Sequence, residues 1–219
     1  MNKQVPFVHC VFYLLILPVF ATGQFAFKNI QANELPKAIS YKGDIEKSVY
    51  WNDSLGKHFI VLSEEGPLRS TDKKDSLGFC EDGECKDAFI YAYHFLQRKD
   101  SIILVCKTVD YVTQCSFDIY ASFENNSLNI TDLDKNGVPE IWFIYKTTCT
   151  SDVSPKTTKL LMYEGNKKHI ARGTSRVKIS ATEYIGGERK FDSNFNMANQ
   201  QVKTFAIQLW DKFVKDTFN

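Results

Sequence analysis

Short runs rich in aromatic and β-branched residues recur along the chain, and residues 116–123 alternate apolar with polar positions. Both patterns predict β-strands. Turn clusters rich in Asn, Asp, Gly and Ser separate the strand-like runs, as between Ser48 and His58. The runs therefore pair into predicted hairpins, which are 48–51 with 58–62, 89–96 with 102–108, 116–123 with 128–130, and 158–163 with 169–174.

Two segments show patterns of their own. The run 141–145 is apolar at every position, which predicts a strand covered on both faces and a candidate for the centre of the sheet. Residues 199–215 carry apolar side chains at helical spacing, which predicts an amphipathic helix packed on the sheet. A further strand is expected at 177–184, and the mixed pattern of 24–41 indicates an entering strand or short helix.

The expected fold is mostly β: an antiparallel sheet, or a sandwich or barrel-like meander of hairpins, with one C-terminal amphipathic α-helix. The segment 63–87 is polar and charged, so we expect a long surface loop there. A chain of 219 residues with 43% hydrophobic content is long enough to bury a full core in one domain, which we place at 24–219.

Residues 1–23 have the composition of a secretory signal peptide. Lys3 is their only charge, residues 11–20 are nearly all apolar, and Ala21 to Gly23 supply small residues for cleavage. The apolar run is shorter than the ~20 residues that span a bilayer, which disfavours a membrane anchor. We therefore expect an exported protein, in the periplasm or at the outer cell surface, with no stable membrane span after cleavage.

The net charge of the chain limits the kinds of binding partner that it can attract. Removal of Lys3 leaves 26 basic residues against 26 acidic ones. A neutral chain offers no basic field for nucleic acid or an anionic membrane. The expected partner is accordingly a protein or a glycan of the cell envelope, and nucleic acid is not expected.

Five cysteines follow the leader, and an exported compartment permits disulfides. Cys80 and Cys85 are expected to pair at the tip of the polar loop. A Cys115–Cys149 bridge would tie the end of the 141–145 strand to its neighbour, and Cys106–Cys115 is the competing pair. The first is favoured and leaves Cys106 as a buried free thiol, although the sequence does not fix the connectivity.

The most specific chemical signal lies in the acidic loop that precedes the 141–145 strand. Asp132, Asp134 and Asn136 alternate, Gly137 allows a tight turn, and a final carboxylate follows. A hard cation such as Ca²⁺ takes oxygen ligands in this way. The predicted ligands are the side chains of Asp132, Asp134, Asn136 and Glu140 and the backbone carbonyl of Val138.

The loop does not meet the requirements of an EF-hand. The twelfth position, where an EF-hand places its bidentate Glu, is Phe143, and the flanking segments are not helical. With the last carboxylate at the ninth position, the loop resembles the β-hairpin calcium loops of FG-GAP and integrin-type blades. The alternative is an Asx-rich turn without an ion, in which Asp132 and Asn136 cap backbone N–H groups. A bound ion would lock the turn as a structural Ca²⁺.

Other candidates are weaker. Asp152 and Ser154 follow the 141–145 strand, and with Lys159 and Arg172 they predict a rim that faces a ligand or partner; the alternative is a Pro-terminated surface loop. The apolar strand around Cys106 favours a core thiol over a nucleophile.

His58, His94 and His169 lie in separate strand-like segments without metal-ligand spacing, which favours strand histidines whose hydrogen-bonding groups are satisfied. The common nucleophile, phosphate-loop, dinucleotide and metalloprotease motifs are absent from the sequence. The chain is therefore expected to be non-catalytic.

A succession of short motifs through the C-terminal two thirds carries a family resemblance. The motifs are Ala92-Tyr93-His94-Phe95, Val109-Asp110-Tyr111 with Cys115 and Asp118, Thr131-Asp132-Leu133-Asp134-Lys135-Asn136-Gly137 with Glu140-Ile141-Trp142, Cys149 with Asp152-Val153-Ser154-Pro155, Met162-Tyr163-Glu164-Gly165, Arg172-Gly173, Gly186-Gly187 with Lys190-Phe191-Asp192, and Phe205-Ala206 with Leu209-Trp210.

The chain thereby resembles a small exported bacterial family labelled surface polysaccharide biosynthesis protein. The resemblance implies a role in making or displaying lipopolysaccharide or capsule, pairing of Cys115 with Cys149, and an apolar position at Cys106. Ser151 departs from the glycine expected before the D-V-S-P element.

Two alternatives remain. A weaker likeness to periplasmic lysozyme inhibitors, confined to the acidic loop and the exported β character, implies an inhibitor or binding module for a hydrolase. The other is a glycan-acting envelope enzyme, for which Asp118, Asp152 or Glu183 would supply the carboxylates.

Overall fold

Two antiparallel β-sheets packed face to face form the body of the molecule in the computed structural model, which describes residues 26–70, 80 and 85–216. The expected antiparallel, mostly-β architecture with a C-terminal helix is confirmed, and it takes the form of a sandwich. The predicted signal peptide lies outside the described residues.

The first sheet has the strand order β1-β2-β3-β4-β5, in which each strand pairs with the next one along the chain. Its strands are β1 (Lys28–Asn29), β2 (Asp44–Asp53), β3 (Gly56–Arg69), β4 (Lys86–Arg98) and β5 (Ser101–Cys115). A single turn of 3₁₀ helix, Ala32–Glu34, follows β1.

The second sheet has the order β13-β10-β9-β8-β6, and β7 also pairs with β8. Its strands are β6 (Asp118–Phe123), β7 (Asn129–Thr131), β8 (Glu140–Thr150), β9 (Thr157–Glu164), β10 (Lys167–Thr174) and β13 (Arg189–Phe191). A small third sheet joins β11 (Arg176–Lys178) to β12 (Tyr184–Gly186) and, in parallel, to β14 (Lys215–Asp216).

Strand geometry explains the layers, because alternate side chains of a strand face opposite sides of the sheet. In β8, Ile141, Phe143 and Tyr145 pack toward the first sheet in the core between the two sheets. Trp142 and Ile144 point the other way, into a second core beneath the helices. The run 141–145 is therefore apolar at every position since both faces of β8 are covered, as predicted.

Two helices cover the outer face of the second sheet. They are α1 (Ser193–Met197) and α2 (Gln200–Phe213). The predicted helix is confirmed as α2, whose buried stripe includes Val202, Ala206 and Leu209. Asn199 caps it by accepting a hydrogen bond from the Val202 N–H at 2.9 Å.

The predicted surface loop at 63–87 was too long. Strand β3 continues to Arg69 and β4 begins at Lys86. Residues 63–69 and 86–87 are therefore strand residues despite their polar composition. The reason is that the acidic side chains in β3 have partners. One carboxylate oxygen of Glu64 accepts hydrogen bonds from the N–H of Phe123 (2.6 Å) and the hydroxyl of Ser122 (2.7 Å), and so ties the first sheet to the second.

Three further expectations are corrected. Strands β6 and β7 do not form a hairpin with each other, because both pair with β8 on the same side. Strand β8 is an interior strand, but β9 holds the middle position of the β13-β10-β9-β8-β6 order. The expected strand at 177–184 is divided into β11 and β12, which pair across a turn in the third sheet.

Candidate functional site

The acidic loop connects β7 to β8, and its ends are held together because Thr131 lies opposite Glu140 in the antiparallel ladder. The loop turns through two left-handed positions, Lys135 at φ 59° and Gly137 at φ 81°. A Cβ on Gly137 would meet nothing within 4 Å, so backbone conformation alone favours glycine there.

This turn brings three carboxylates together. One oxygen from each of Asp132, Asp134 and Glu140 lies within 4.8 Å of the other two. The environments differ: Glu140 is 1% exposed, Asp132 is half-buried and Asp134 is exposed. The Oδ1 atom of Asp132 is buried and has no hydrogen-bond partner in the described part of the chain. The site thus contains a buried acceptor oxygen to which no described group donates.

Glu140 is fixed in position by its neighbours. The Thr131 hydroxyl donates to its Oε2 at 2.6 Å, and the Leu133 N–H lies 3.0 Å from both carboxylate oxygens. The indole N–H of Trp142 donates to the Thr131 hydroxyl at 2.8 Å, which orients that hydroxyl toward Glu140. Burial raises the pKa of Glu140, and the nearby Asp134 carboxylate adds to the rise.

Asn136 links the loop to the next hairpin. Its Nδ2 donates to Asp134 Oδ2 at 3.0 Å and to Glu164 at the end of β9. Its Oδ1 accepts from the Val138 N–H at 2.7 Å. Asn136 and Val138 therefore lie in the same turn as the carboxylates. Of the five predicted ligands, the three carboxylates are the ones whose oxygen atoms lie close together.

Glu164 is a site residue that the sequence did not reveal. It lies directly opposite Glu140 in the β8–β9 ladder, so a fourth acidic side chain stands beside the cluster. Like charges directly opposite in a ladder destabilise a sheet unless another charge offsets them. The strand pairing, which the sequence alone did not specify, was needed to find it.

The four residues of the predicted rim divide into two groups. Asp152 bonds within its own turn, to the hydroxyls of Thr150 and Ser154. Lys159 and Arg172 face each other in the β9–β10 ladder, and Lys159 forms an ion pair with Asp110 of β5. The hydrogen bonds of Asp152 and Ser154 are thus those of a surface turn, whereas Lys159 connects β9 to β5 of the other sheet.

The carboxylates of the alternative glycan-acting enzyme lie in three different elements. Asp118 begins β6, Asp152 lies in the β8–β9 turn, and Glu183 accepts a hydrogen bond from the Ser180 hydroxyl in the turn before β12. All three are exposed. Asp118 lies opposite Thr150 in the β6–β8 ladder, and the Thr150 hydroxyl donates to Asp152, so two of the three carboxylates lie near the same end of the second sheet. No hydrogen bond joins any two of the three carboxylates among the described residues.

The structure contains both favoured disulfides, Cys80–Cys85 and Cys115–Cys149. Cys106 is a free thiol, as expected, and is half-buried at the margin of the core. The Cys115–Cys149 bridge joins the end of β5 to β8 and so connects the two sheets covalently.

The prediction of satisfied strand histidines holds for His58, whose two ring nitrogens both have partners, and it is wrong for one nitrogen of His94 and for His169. His58 and His94 lie on the same inner face of β3 and β4 and form a hydrogen bond of 2.8 Å between ring nitrogens. His169 packs against Phe195, and neither of its ring nitrogens has a partner among the described residues. Burial lowers the pKa of His169, so its ring is favoured in the neutral form.

In comparisons with family models, curated proteins and solved structures, none matches this chain. The resemblance to the polysaccharide family therefore stays a prediction from the motifs. In the part of the chain that the structure describes, no helix is both long and apolar enough to cross a bilayer.

Proposed function

We propose that this chain is an exported, non-catalytic protein of the cell envelope whose acidic loop binds one Ca²⁺ as a structural ion. The observation that carries the proposal is the convergence of Asp132, Asp134 and Glu140 within 4.8 Å around an Asp132 oxygen that is buried without a partner. An all-oxygen ligand set is typical of a hard cation.

Charge balance supports a cation at this point. Three carboxylates held at such distances repel one another unless a proton or a metal ion offsets their charge. Burial and Asp134 raise the pKa of Glu140, so the cluster favours an added positive charge. A divalent ion would offset two of the negative charges and supply the missing partner of Asp132.

The position of the loop explains what the ion would do. The loop is bounded by Thr131 in β7 and Glu140 in β8, and Asn136 connects it to Glu164 in β9. A bound ion would fix the Asp132 and Asp134 side chains to a strand that lies inside the second sheet. The ion would therefore stabilise one end of this sheet.

Calcium is expected to raise the unfolding midpoint relative to the protein in EDTA. At a Ca²⁺ concentration about 100 times Kd the gain is about 2.7 kcal/mol, or about 5–10 °C for a domain of this size. Asp134→Ala should abolish most of this gain. In EDTA the same variant should melt at or above the parent, because it removes a repulsive charge.

Asp100→Ala is the matched control, since Asp100 is an exposed acidic residue in the β4–β5 turn, outside the loop. It should keep the calcium-dependent rise, as measured by circular dichroism during heating. An equal midpoint in calcium and EDTA for the parent protein would refute the structural ion.

The calcium effect is expected to shrink as pH falls. Without an ion, the raised pKa of Glu140 means that its contribution to stability is present below the unfolded value of 4.5 and lost as pH rises through the folded pKa. Calcium binds the ionised form, so protons compete with it. The gap between the midpoints in calcium and EDTA should narrow from pH 7 toward pH 4.5.

Glu140→Gln is the corresponding variant, because it keeps the shape of the side chain but cannot ionise. Its calcium effect should be small at all pH values, with no narrowing. A parent whose calcium effect is constant between pH 7 and 4.5 would show that Glu140 is not a ligand.

For the biological role, we propose that the protein supports the production of surface polysaccharide, either lipopolysaccharide or capsule. The motif resemblance and the two disulfides support an envelope location. A deletion strain should show an altered lipopolysaccharide ladder or capsule that the intact gene restores. Unchanged profiles would remove this role and leave the calcium site unaffected.

A further inference from the structure

Asp53, His58 and His94 form a hydrogen-bonded series of side chains across three strands of the first sheet, far in sequence from the acidic loop. The Nε2 atom of His58 lies 3.0 Å from both carboxylate oxygens of Asp53. The Nδ1 atom of His58 lies 2.8 Å from the Nε2 atom of His94. The Trp51 ring stacks on both imidazoles and shields them.

The carboxylate fixes which nitrogens carry protons. Asp53 accepts a hydrogen bond and also receives the N–H groups of Leu55 and Gly56, so His58 carries its proton on Nε2. His58 Nδ1 is then the acceptor, and His94 must donate from Nε2. Burial, with the neighbouring His58 adding to it, lowers the pKa of His94 to about 3. Neutral His94 therefore presents a lone pair at Nδ1.

That lone pair has no partner. His94 is 5% exposed, and its Nδ1 is buried with no hydrogen bond to any described residue. The ring lines a cavity of about 10 Å³, which has room for one water-sized sphere. The remaining lining residues are apolar or aromatic except for the thiol of Cys106, and they are Ile60, Ala92, Tyr93, Ile141, Phe143 and Tyr163.

Strand pairing directs the thiol toward the same place. Cys106 lies directly opposite His94 in the β4–β5 ladder, so both side chains project from the same face. The register shifts beside this pair, since Phe95 is opposite Leu104, which leaves Val105 as a bulge residue. Strand β5 is the edge of its sheet and Cys106 is half-buried, so a small ion has a route to the cavity.

We propose that Cys106 Sγ and His94 Nδ1 bind a soft monovalent metal ion of the Cu(I) class. A thiolate and an imidazole are ligands that this ion prefers. Metal bonds to imidazole nitrogen and thiolate sulfur are about 2.0–2.3 Å, so one ion can join two ligand atoms that form no hydrogen bond with each other. His58 and Asp53 act as positioning residues that fix the tautomer and the ring.

The charge of the cavity selects a monovalent ion. A thiolate with a monovalent cation is neutral, and a neutral unit is tolerated among apolar side chains. A divalent ion would leave a net positive charge beside the ammonium of Lys168, which interacts electrostatically with the thiol. Arg172 and Lys159 add positive charge near Lys168, and Asp110 offsets part of it.

Catalysis by this thiol does not fit the same site. Burial raises the pKa of Cys106 to about 12, although Lys168 opposes the rise. A cavity of about 10 Å³ admits an ion or a water molecule and excludes an organic substrate. Metal binding deprotonates a thiol directly, which makes a high thiol pKa compatible with a metal ligand.

The test is anaerobic competition for Cu(I) between the oxidised full chain and a chromogenic Cu(I) chelator, with ascorbate as reductant. The parent carries Cys10→Ser, which leaves Cys106 as the only cysteine outside the two disulfides. It should bind one Cu(I) per chain. Cys106→Val should abolish this binding while keeping the melting curve, and Asp53→Asn should weaken it by about 10–100-fold.

X-ray absorption of the bound copper should show one sulfur and one nitrogen. Asp134→Ala, in the acidic loop, should leave copper binding unchanged, which separates this site from the calcium site. The proposal is overturned if the parent binds no copper. It is also overturned if Cys106→Val binds as the parent does, or if the bound copper lacks a sulfur ligand.

Discussion

Exchange of both Cys115 and Cys149 for alanine is expected to lower the free energy of unfolding by about 4 kcal/mol. The bridge closes a loop with a sequence separation of 34 residues, and the entropy that such a loop removes from the unfolded chain corresponds to about that energy. The same bridge connects β5 of the first sheet to β8 of the second. Urea unfolding of the parent and the double variant measures the difference.

The second disulfide supplies an internal comparison. Cys80 and Cys85 have a sequence separation of 5 residues, so their removal is expected to cost only about 2 kcal/mol. Equal losses for the two double variants, or a larger loss for the Cys80–Cys85 pair, would contradict the assignment of Cys115–Cys149 as the main covalent link.

Trp142→Ala is expected to cost about 3–5 kcal/mol, the usual range for removing a fully buried aromatic side chain. Trp142 is 0% exposed. Its ring contacts Phe195 and Phe205 of the two helices. The indole N–H also donates to Thr131, which in turn holds Glu140. The variant should therefore loosen both the helical layer and the acidic loop.

Trp142→Phe separates these two effects. Phenylalanine keeps most of the packing but leaves the Thr131 hydroxyl without its donor, at a cost of about 1–3 kcal/mol. Denaturant unfolding should rank the parent above Trp142→Phe, and Trp142→Phe above Trp142→Ala. A loss for Trp142→Phe equal to that for Trp142→Ala would show that the hydrogen bond dominates.

Much of the fold could be predicted because local patterns decide it. The run 141–145 is apolar at every position because β8 is covered on both faces. The alternation at 116–123 correctly predicted a strand there, and residues 118–123 form β6. The helical spacing of Val202, Ala206 and Leu209 likewise identified α2. These signals lie within one element and need no knowledge of its neighbours.

Pairing between distant strands could not be predicted in the same way. Glu64 looked like a loop residue because its partners, Ser122 and Phe123, lie in the other sheet. Glu164 was missed at the acidic loop for the same reason, since only the β8–β9 register places it opposite Glu140. The sequence shows that such residues are polar, but their structural partners are known only once the strands are paired.

The histidine chain shows this limit most clearly. His58 and His94 are 36 residues apart, and nothing in their spacing resembles a metal motif. Adjacent strands nevertheless place them on one inner face, with Cys106 opposite His94. The acidic loop was found from sequence because its carboxylates lie within one turn, whereas this site needs three strands.

Terbium luminescence tests the calcium site most directly, because Tb³⁺ replaces Ca²⁺ and emits when a nearby tryptophan is excited. Trp142 is joined to Glu140 through the Thr131 hydroxyl, which places a sensitiser next to the proposed ion. Titration should give emission that saturates at one Tb³⁺ per chain, is displaced by Ca²⁺, and is lost in Asp134→Ala. Emission that fails to saturate, or that persists unchanged in Asp134→Ala, would contradict a calcium site in this loop.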